Sequence, residues 1–250
     1  MNTSQEHLFF TLIVAVLLVG ALIGYFLFSM MRQFDNYLRL QDGYSQAKLE
    51  ALEQERQIIA ADLHDDIGPI LSVMLYKLGG INPVPEQEKE LHRQALDHIG
   101  GIFKRIRTIS TMLVPQAIER KGPFYALEEF AETYLDGQPL NMEILSMPRA
   151  GLDGYSSLHL FRILQEILHN TLKHAKASRL TVDAWIDKEV LYIETEDDGI
   201  GFDPAVVQSK PGLGLKNLAI RSRMLGATLS IISWPGKGTR YRIWLPLNAR

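Results

Sequence analysis

The sequence of 250 residues contains no cysteine, which excludes disulfide bonds, thiolate metal sites and a cysteine nucleophile. Its formal net charge is only −3, and it has no dense cluster of lysine and arginine. Nucleic acid is therefore not predicted as a direct partner, because binding to phosphate backbones depends on concentrated positive charge. Internal repeats and low-complexity tracts are also absent, and the length allows one or two modest domains with attachments.

Charge is missing from one long stretch near the N-terminus. Residues 8–31 are uncharged and mostly apolar, and a helix of that length crosses a hydrocarbon core of about 30 Å. A cleaved signal peptide is the competing interpretation, but the stretch lacks a basic start and a small-residue cleavage pattern at its end. Arg32, Arg39 and Lys48 follow the stretch and no lysine or arginine precedes it. We therefore predict a single-pass transmembrane helix with a cytoplasmic C-terminal side and no external sensor domain.

The segment from residue 32 to 54 is polar, contains spaced leucines and has no proline. Leu49, Leu52, Ile59 and Leu63 follow a period of roughly 3.5 residues. This pattern is typical of a signal-carrying coiled coil. It is equally compatible with a solvated linker helix that has no special role.

Residues 55–115 contain two helical patterns separated by a turn. Apolar residues recur every three or four positions in both patterns, which are Ile59, Leu63, Ile67, Ile70, Met74 and Leu78, and then Leu91, Ala95, Ile99, Ile102, Ile106, Ile109 and Leu113. Glycine and proline between residues 79 and 85 end the first helix. An antiparallel helical hairpin cannot bury both apolar stripes alone, so we predict a homodimer in which two hairpins form a four-helix bundle.

His64 and Asp65 are predicted at the edge of the first apolar stripe, facing water. An imidazole there is reachable by a second molecule. The adjacent carboxylate can hold one ring nitrogen and take its proton, which leaves the other nitrogen free as a nucleophile. A surface histidine in a charged helix is the simpler interpretation. The alternative is a phosphate-accepting histidine, and it requires an ATP site elsewhere in the chain.

The pattern changes to α+β after a linker at residues 115–123, and residues 123–248 are long enough for one domain. Helices are predicted over 124–135, 156–174 and 216–225, with Ser156 or Ser157 as the N-cap of the second. Strands are predicted over 140–145, 179–186, 190–195, 228–234 and 239–245. This order indicates an α+β two-layer sandwich with helices on one face of the sheet.

One polar motif of this domain lies on its longest predicted helix. Glu166, Asn170, Lys173 and His174 recur at i, i+4, i+7 and i+8, so one helix face should carry all four side chains. The amide oxygen of Asn170 suits Mg²⁺ where phosphate oxygens and water complete the coordination, and Lys173 can meet phosphate charge. Taken alone, such a face is also an ordinary polar helix surface.

Two further motifs are rich in glycine. At residues 197–201, two aspartates and a Gly-Ile-Gly sequence follow a strand. A carboxylate fixed there can accept the exocyclic amine of adenine, and glycine lets the backbone approach the ring. Gly212 and Gly214 begin a helix, whose exposed N–H groups favour phosphate oxygens. Each of these short motifs, taken alone, is as often a turn.

Taken in order, the motifs resemble those of the sensor histidine kinases of two-component systems. More narrowly, they resemble the subfamily that includes the nitrate-sensor and membrane-thermosensor kinases. The segment from Arg56 to Gly68 is similar to the phosphoacceptor box of that subfamily, and residues 170–177 (NTLKHAKA) are similar to its N-box. A short lid at residues 202–211 continues the similarity, which extends over residues 55–246.

The resemblance implies a dimerisation and histidine-phosphotransfer hairpin followed by a Bergerat-type ATP-binding domain. Together with the predicted transmembrane helix, this makes a multidomain membrane protein. By this resemblance His64 would take the γ-phosphoryl group of ATP, Asp65 would be the base, Asn170 would hold Mg²⁺ and Asp198 would read adenine. The other residues implied at the ATP site are Glu166, Lys173, His174, Gly199, Gly201, Gly212, Gly214 and Thr239. The phosphoryl group would then pass to an aspartate of a response regulator, usually one with a helix-turn-helix DNA-binding output domain.

The sequence departs from the subfamily five residues after His64, where a glutamine usually orients the water that dephosphorylates the regulator. Here that position is Pro69 and the residue before it is Gly68, so neither side chain can orient water. Pro69 also removes a backbone N–H from the helix and should kink or loosen it just past His64. We therefore predict a kinase with weak intrinsic phosphatase activity.

The leading prediction is a homodimeric histidine kinase of the bacterial inner membrane, with its catalytic domain in the cytoplasm. One alternative is a catalytically silent membrane scaffold that holds ATP or a partner kinase. Another is a Bergerat ATPase of the chaperone or mismatch-repair type. The stimulus is expected in the bilayer, in a membrane sensory partner, or in a cytoplasmic signal that acts on the linker helix.

Overall fold

The computed structural model describes residues 3–81, 85–114, 117–204 and 212–247. It divides into two compact units, Met1–Leu49 and Glu50–Arg250. The helices are α1 (Thr3–Asp62), α2 (Gly68–Gly79), α3 (Glu86–Leu113), α4 (Ala117–Lys121), α5 (Pro123–Tyr134), α6 (Gly154–Asn170) and α7 (Leu213–Met224). The strands are β1 (Asn141–Ile144), β2 (Arg179–Asp187), β3 (Val190–Asp197), β4 (Thr228–Ser233) and β5 (Thr239–Pro246). Parts of the predicted turn, linker and lid, at residues 82–84, 115–116 and 205–211, lie outside the described residues.

The first unit is helical throughout its described part. The helix predicted for residues 8–31 is present within α1, and by length and composition it is apolar enough to cross a membrane. Leu17, Leu22 and Phe26 are exposed on this helix. Apolar side chains in such positions are stabilised where lipid replaces water.

The second unit begins with the predicted helical hairpin. Near its turn, the ring Nε2 of His92 lies 2.6 Å from the carbonyl oxygen of Leu78. At the other end, the Ser110 hydroxyl donates to the carbonyl oxygen of Ala60 over 3.4 Å. The earlier residue of the first half, Ala60, thus contacts the later residue of the second half, Ser110. The two halves of the hairpin therefore run antiparallel.

The predicted irregularity near Pro69 is present and takes the form of a π-helical turn, Leu63–Ile67, between α1 and α2. Pro69 has no N–H to continue the α-helical ladder. The N–H of Gly68 instead donates to the carbonyl oxygen of Leu63, five residues back, which is the bond that defines a π turn. The backbone of His64 therefore lies in a widened turn rather than in a regular α-helix.

The second unit ends in an α+β domain with a five-stranded sheet in the order β1-β2-β3-β5-β4. Strand β1 runs parallel to β2, and the other pairs are antiparallel. Buried and more exposed residues alternate along β2 and β3, so one sheet face carries the core and the other faces solvent. Phe161, Leu164 and Leu168 of α6 belong to the same buried cluster as Leu191 and Ile193 of β3. The two-layer prediction is confirmed.

Three details of the prediction are wrong. Residues 117–121 form α4 within the predicted linker. The N-cap of α6 is Asp153, whose Oδ1 accepts from the N–H of Ser156 over 2.7 Å, so neither predicted serine caps this helix. The α-helix expected to reach residue 174 ends at Asn170, and a π-helical turn, Thr171–Ala175, follows it.

Candidate functional site

The carboxylate of Asp197, the last residue of β3, is the best-defined polar group of the site. It is only 4% exposed. Its Oδ1 accepts from the backbone N–H groups of Gly199 (2.9 Å) and Thr239 (3.2 Å), and its Oδ2 accepts no hydrogen bond from the described residues. Burial raises the pKa of Asp197 above its usual value, although the two N–H donors oppose this. One oxygen is thus fixed by the protein, and the other can accept a donor from a ligand.

Asp198, the predicted adenine reader, has a different environment. Its side chain is exposed. Oδ1 accepts from the N–H groups of Ser178 (2.8 Å) and Arg179 (2.9 Å), and Oδ2 accepts from the Ser178 hydroxyl (2.5 Å). These hydrogen bonds lower the pKa of Asp198. Both of its oxygens are occupied in holding the start of β2, which makes the buried Asp197 the better candidate for a ligand contact.

The glycines around Asp197 are required by close approach of other backbone segments. A Cβ on Gly199 would overlap the carbonyl oxygen of Ala175, and one on Gly201 would overlap that of Trp234. A Cβ on Gly238 would overlap the carbonyl oxygen of Asp197. Gly201 and Gly238 also have positive φ angles of 58° and 70°, which favour glycine. The backbone here forms a tight cradle that a side chain would fill.

Thr239 lies in the same cradle, and Ser233 joins it. Besides its N–H bond to Asp197, Thr239 places its hydroxyl 3.1 Å from that of Ser233. The Ser233 hydroxyl donates to the carbonyl oxygen of Gly238 (2.9 Å) and accepts from the N–H of Phe202 (2.9 Å). Sequence reasoning missed Ser233. Its place at the end of β4, opposite Thr239 in the β4–β5 register, was the signal that could have identified it.

A second group of predicted residues meets where α6 ends and α7 begins. A Cβ on Gly214 would overlap Oε1 of Glu166 and come within 3.3 Å of Oδ1 of Asn170. The Nδ2 of Asn170 is buried and has no hydrogen-bond partner among the described residues. A buried amide without a partner is unfavourable and is expected to have one when a ligand is bound. Gly212, the N-cap of α7, is exposed beside this group.

The sequence predicted that Lys173 and His174 share one α-helical face with Glu166 and Asn170. The structure does not place them on such a face. The α-helix ends at Asn170, and both residues lie in the π-helical turn, where the residue spacing of an α-helix no longer applies. Both side chains are exposed. The structure therefore joins Glu166, Asn170 and Gly214 and leaves Lys173 and His174 on the surface.

Tyr134 and His169 form a contact that the sequence did not reveal. The Tyr134 hydroxyl lies 2.6 Å from Nδ1 of His169, directly before Asn170. Burial and the negative charge of Glu166 raise the pKa of Tyr134. Burial, with the positive charge of Lys173 as the next cause, lowers the pKa of His169. A neutral imidazole therefore supports the end of α6 at neutral pH.

Asp65 is exposed in the π-helical turn of the hairpin, and the turn packs against α2 and α3. The backbone of His64 belongs to the same turn, and its side chain is not among the described parts of the chain. Within the described residues, no group of three or more histidine, aspartate and glutamate side chains could hold a metal ion. Any Mg²⁺ at the α6–α7 group would therefore need phosphate oxygens and water among its ligands, as Mg²⁺ usually does.

Comparison with known proteins adds to this geometry. Residues 155–249 match the family described as histidine kinase-, DNA gyrase B-, and HSP90-like ATPase. The chain is 30% identical over 207 residues to the sensor histidine kinase LiaS of Bacillus subtilis, with 81% of this chain and 57% of that protein covered. It is 30% identical to the sensor protein VraS of Staphylococcus saprophyticus, over 79% of this chain and 57% of that protein.

A third relative is an uncharacterized sensor-like histidine kinase of Chloroflexus aurantiacus, 29% identical over 79% of this chain and 35% of that protein. The chain thus spans between about a third and just over half of the length of these curated relatives.

Proposed function

We infer that this chain belongs to the sensor histidine kinases of two-component systems, and we propose that it transfers the γ-phosphoryl group of ATP to His64. The single observation that carries the proposal is the buried cradle around Asp197, which lies in the same domain as the unpartnered amide of Asn170. The cradle suits a purine ring. At Asn170 the unpartnered Nδ2 can donate to a phosphate oxygen, and Oδ1 suits phosphate-bound Mg²⁺. A helical hairpin with a His-Asp pair precedes this domain in the chain.

The adenine would lie in the cradle of Asp197. Oδ2 of Asp197 is available to accept the exocyclic amine, while Oδ1 is held by Gly199 and Thr239. The absence of side chains at Gly199 and Gly201 keeps the backbone close enough to contact a planar ring. Recognition by a buried carboxylate with one fixed oxygen is directional, so it favours a ligand with an N–H donor.

The phosphates would lie where α6 meets α7. Asn170 would hold Mg²⁺ through its amide oxygen, and the ion would neutralise phosphate charge when bound. The first N–H groups of α7, after Gly212 and at Gly214, have no partner within the helix and suit phosphate oxygens. Lys173 and His174, exposed on the π-helical turn, can add positive charge or donors at the edge.

In the transfer step, one nitrogen of His64 attacks the γ-phosphorus, the new N–P bond forms, and the bond between the γ-phosphorus and the bridging oxygen breaks to release ADP. Asp65 would hold the other ring nitrogen and take its proton. The protein mainly supplies position and charge in such a step. The phosphoryl group would then pass to an aspartate of a response regulator with a helix-turn-helix output domain.

We place the protein in the bacterial cytoplasmic membrane as a homodimer. The apolar span of α1 supports the membrane location. Ile59, Ile70, Met74, Ile102 and Ile109 are all more than 40% exposed on the hairpin. Such a stripe along both hairpin helices is buried most simply by a second copy, which completes a four-helix bundle.

Incubation of the whole chain with Mg²⁺ and ATP labelled at the γ-phosphorus tests the proposal. We expect acid-labile, base-stable label on the wild type, none on His64→Gln, and a large decrease with Asn170→Ala. Label in His64→Gln would mean that another residue accepts the phosphoryl group. Nucleotide binding without label in the wild type would favour the silent scaffold.

A further inference from the structure

The chain has three tryptophans, and none of them belongs to the buried core cluster. Trp185 on β2 is 44% exposed, and Trp234, directly after β4, is 64% exposed. Trp244 on β5 is half-buried. Because burial alternates along β2 and β5, Trp185 and Trp244 lie on the sheet face that is turned away from the core. Large aromatic side chains on a solvent face are typical of interfaces with other molecules.

An aromatic row crosses three strands of this face. Trp185 pairs with Tyr192 in the β2–β3 register, and Tyr192 pairs with Trp244 in the β3–β5 register. The rings of Trp185 and Tyr192 are stacked, with their centroids 5.5 Å apart and an angle of 6° between their planes. Tyr192 thus covers one side of the Trp185 indole, and the exposed remainder is open to solvent. An open indole face attracts cations through its π electrons.

Two carboxylates flank Trp185 along β2. Asp183 and Asp187 precede and follow it by two residues, so each projects to the same sheet face at roughly 7 Å along the strand. Within the described residues, neither aspartate forms an ion pair with a lysine or arginine, and this includes Lys188 of the next turn. An open indole between two such carboxylates is suited to a positively charged group.

The arginines of the same face do not supply this charge. Arg242 donates to Oε2 of Glu194 over 2.5 Å, and Arg240 donates to Oε2 of Glu196 over 2.7 Å. Asp183 lies directly opposite Glu194 in the β2–β3 register. Like charges in such a position destabilise a strand pair. A cation from outside the chain would therefore relieve repulsion at Asp183 as well as contact the indole.

We propose that this face binds an arginine side chain of a partner protein, with the guanidinium stacked on Trp185 and its edges at Asp183 and Asp187. A guanidinium is planar and carries five N–H donors in a fixed fork, so it can stack on a ring and donate at two edges together. A lysine ammonium is a compact, strongly hydrated charge and lacks this shape. The flanking carboxylates disfavour an anionic membrane surface as the partner.

The proposed surface is separate from the nucleotide site. Along β3, Tyr192 projects to the solvent face and Asp197 projects to the core side. A partner on the aromatic row therefore leaves the cradle of Asp197 open to ATP. Tryptophan, tyrosine and arginine are also the residues that dominate the binding energy of protein interfaces.

The test titrates matched peptides into the full-length chain in an uncharged maltoside detergent, with binding followed by saturation-transfer NMR of the peptide. The peptides are acetyl-Gly-Ser-X-Ser-Gly-amide, where X is arginine, lysine or citrulline, which has the shape of arginine without its charge. We expect millimolar or tighter binding of the arginine peptide. Binding of the citrulline peptide should be at least about fivefold weaker, and the lysine peptide should lie between the two.

Substitutions locate the binding on the chain. Asp183→Asn and Trp185→Leu should each weaken binding of the arginine peptide at least about fivefold. Glu129→Gln, which removes an exposed carboxylate from α5, should leave the affinity unchanged. If Trp185→Leu does not fold, the three peptides on the wild type and on Asp183→Asn still decide the question. All folded variants should label His64 at the wild-type rate.

Several results would overturn the arginine site. They are equal binding of the arginine and citrulline peptides, equal losses in Asp183→Asn and Glu129→Gln, and no binding of the arginine peptide at millimolar concentration. Choline that binds more tightly than the arginine peptide would assign the face to a lipid headgroup instead. Association between dimers that Trp185→Leu abolishes would assign it to a second copy of the chain. Absence of label on His64 in the wild type would contradict only the proposed function.

Discussion

At the residue scale, Asp197 and Asp198 are neighbours with opposite environments, the first buried and the second exposed. Burial alternates along β3, so Leu191, Ile193, Thr195 and Asp197 all face inward. Asp198 lies just beyond the strand, where Ser178 and Arg179 occupy its oxygens. The alternation was visible in the sequence and identifies Asp197 as the inward residue. The contacts of Asp198 were not predictable, because they depend on where β2 begins relative to the end of β3.

Substitution of the two aspartates separates these roles. We expect Asp197→Asn to weaken ATP binding at least about tenfold, because a charged hydrogen bond contributes about 1.5–3 kcal/mol. Asp198→Asn should change ATP affinity by less than about threefold, since its oxygens bind only the protein. Isothermal titration with a non-hydrolysable ATP analogue measures both. Equal losses in the two variants would contradict the assignment of Asp197.

At the scale of helices and strands, apolar periodicity predicted the presence and order of the long elements, because each buries a single face. It did not reveal how they end. The end of α6 at Asn170 depends on a change to π-helical hydrogen bonding, and the cap at Asp153 depends on one side-chain oxygen. Periodicity contains no information about either. At Pro69 the prediction of a disrupted helix was right, because the missing N–H is a local property of the residue.

The Gly68-Pro69 pair leads to a prediction about the hairpin. We expect the wild type to release little phosphate from its phosphorylated regulator, because neither residue has a side chain that can orient water. Pro69→Gln should release phosphate about tenfold faster or more, as expected when a general catalytic group is restored. A phosphate-release assay on the purified phosphorylated regulator measures the rate. Rapid release by the wild type would contradict this interpretation.

At the scale of the whole molecule, the order of the motifs predicted the arrangement of domains, since each domain carries its own signature. The contact between the domains was not predictable. Glu53 pairs with Arg162 and Arg221 across separations of 109 and 168 residues. No local pattern marks these residues, because a buried ion pair is defined by the tertiary fold that brings its members together.

The buried cluster of Glu53, Arg162, Arg221 and His159 should make the stability of the protein depend on pH. Burial, helped by the charge of Arg221, lowers the pKa of His159 to about 4. Well above pH 6.5, His159 is neutral in both the folded and unfolded chain and has no effect on the pH dependence. Between 6.5 and about 4 the unfolded chain binds a proton that the folded chain excludes, so stability falls as the pH falls. The loss by pH 5 is about 2 kcal/mol. His159→Gln, which keeps an acceptor for Arg221, should lose correspondingly less between pH 7 and 5 in thermal unfolding, and an identical loss would contradict the prediction.

The central claim is that a nucleotide held by Asp197 and Asn170 phosphorylates His64. The most direct measurement is mass spectrometry under alkaline conditions of the full-length chain after incubation with Mg²⁺ and ATP. The account predicts one added phosphoryl group on the peptide that contains His64, lost on acid treatment and, at limiting ATP, strongly reduced in Asp197→Asn. A phosphoryl group on a different residue, or an unmodified His64 in a chain that demonstrably binds ATP, would contradict it.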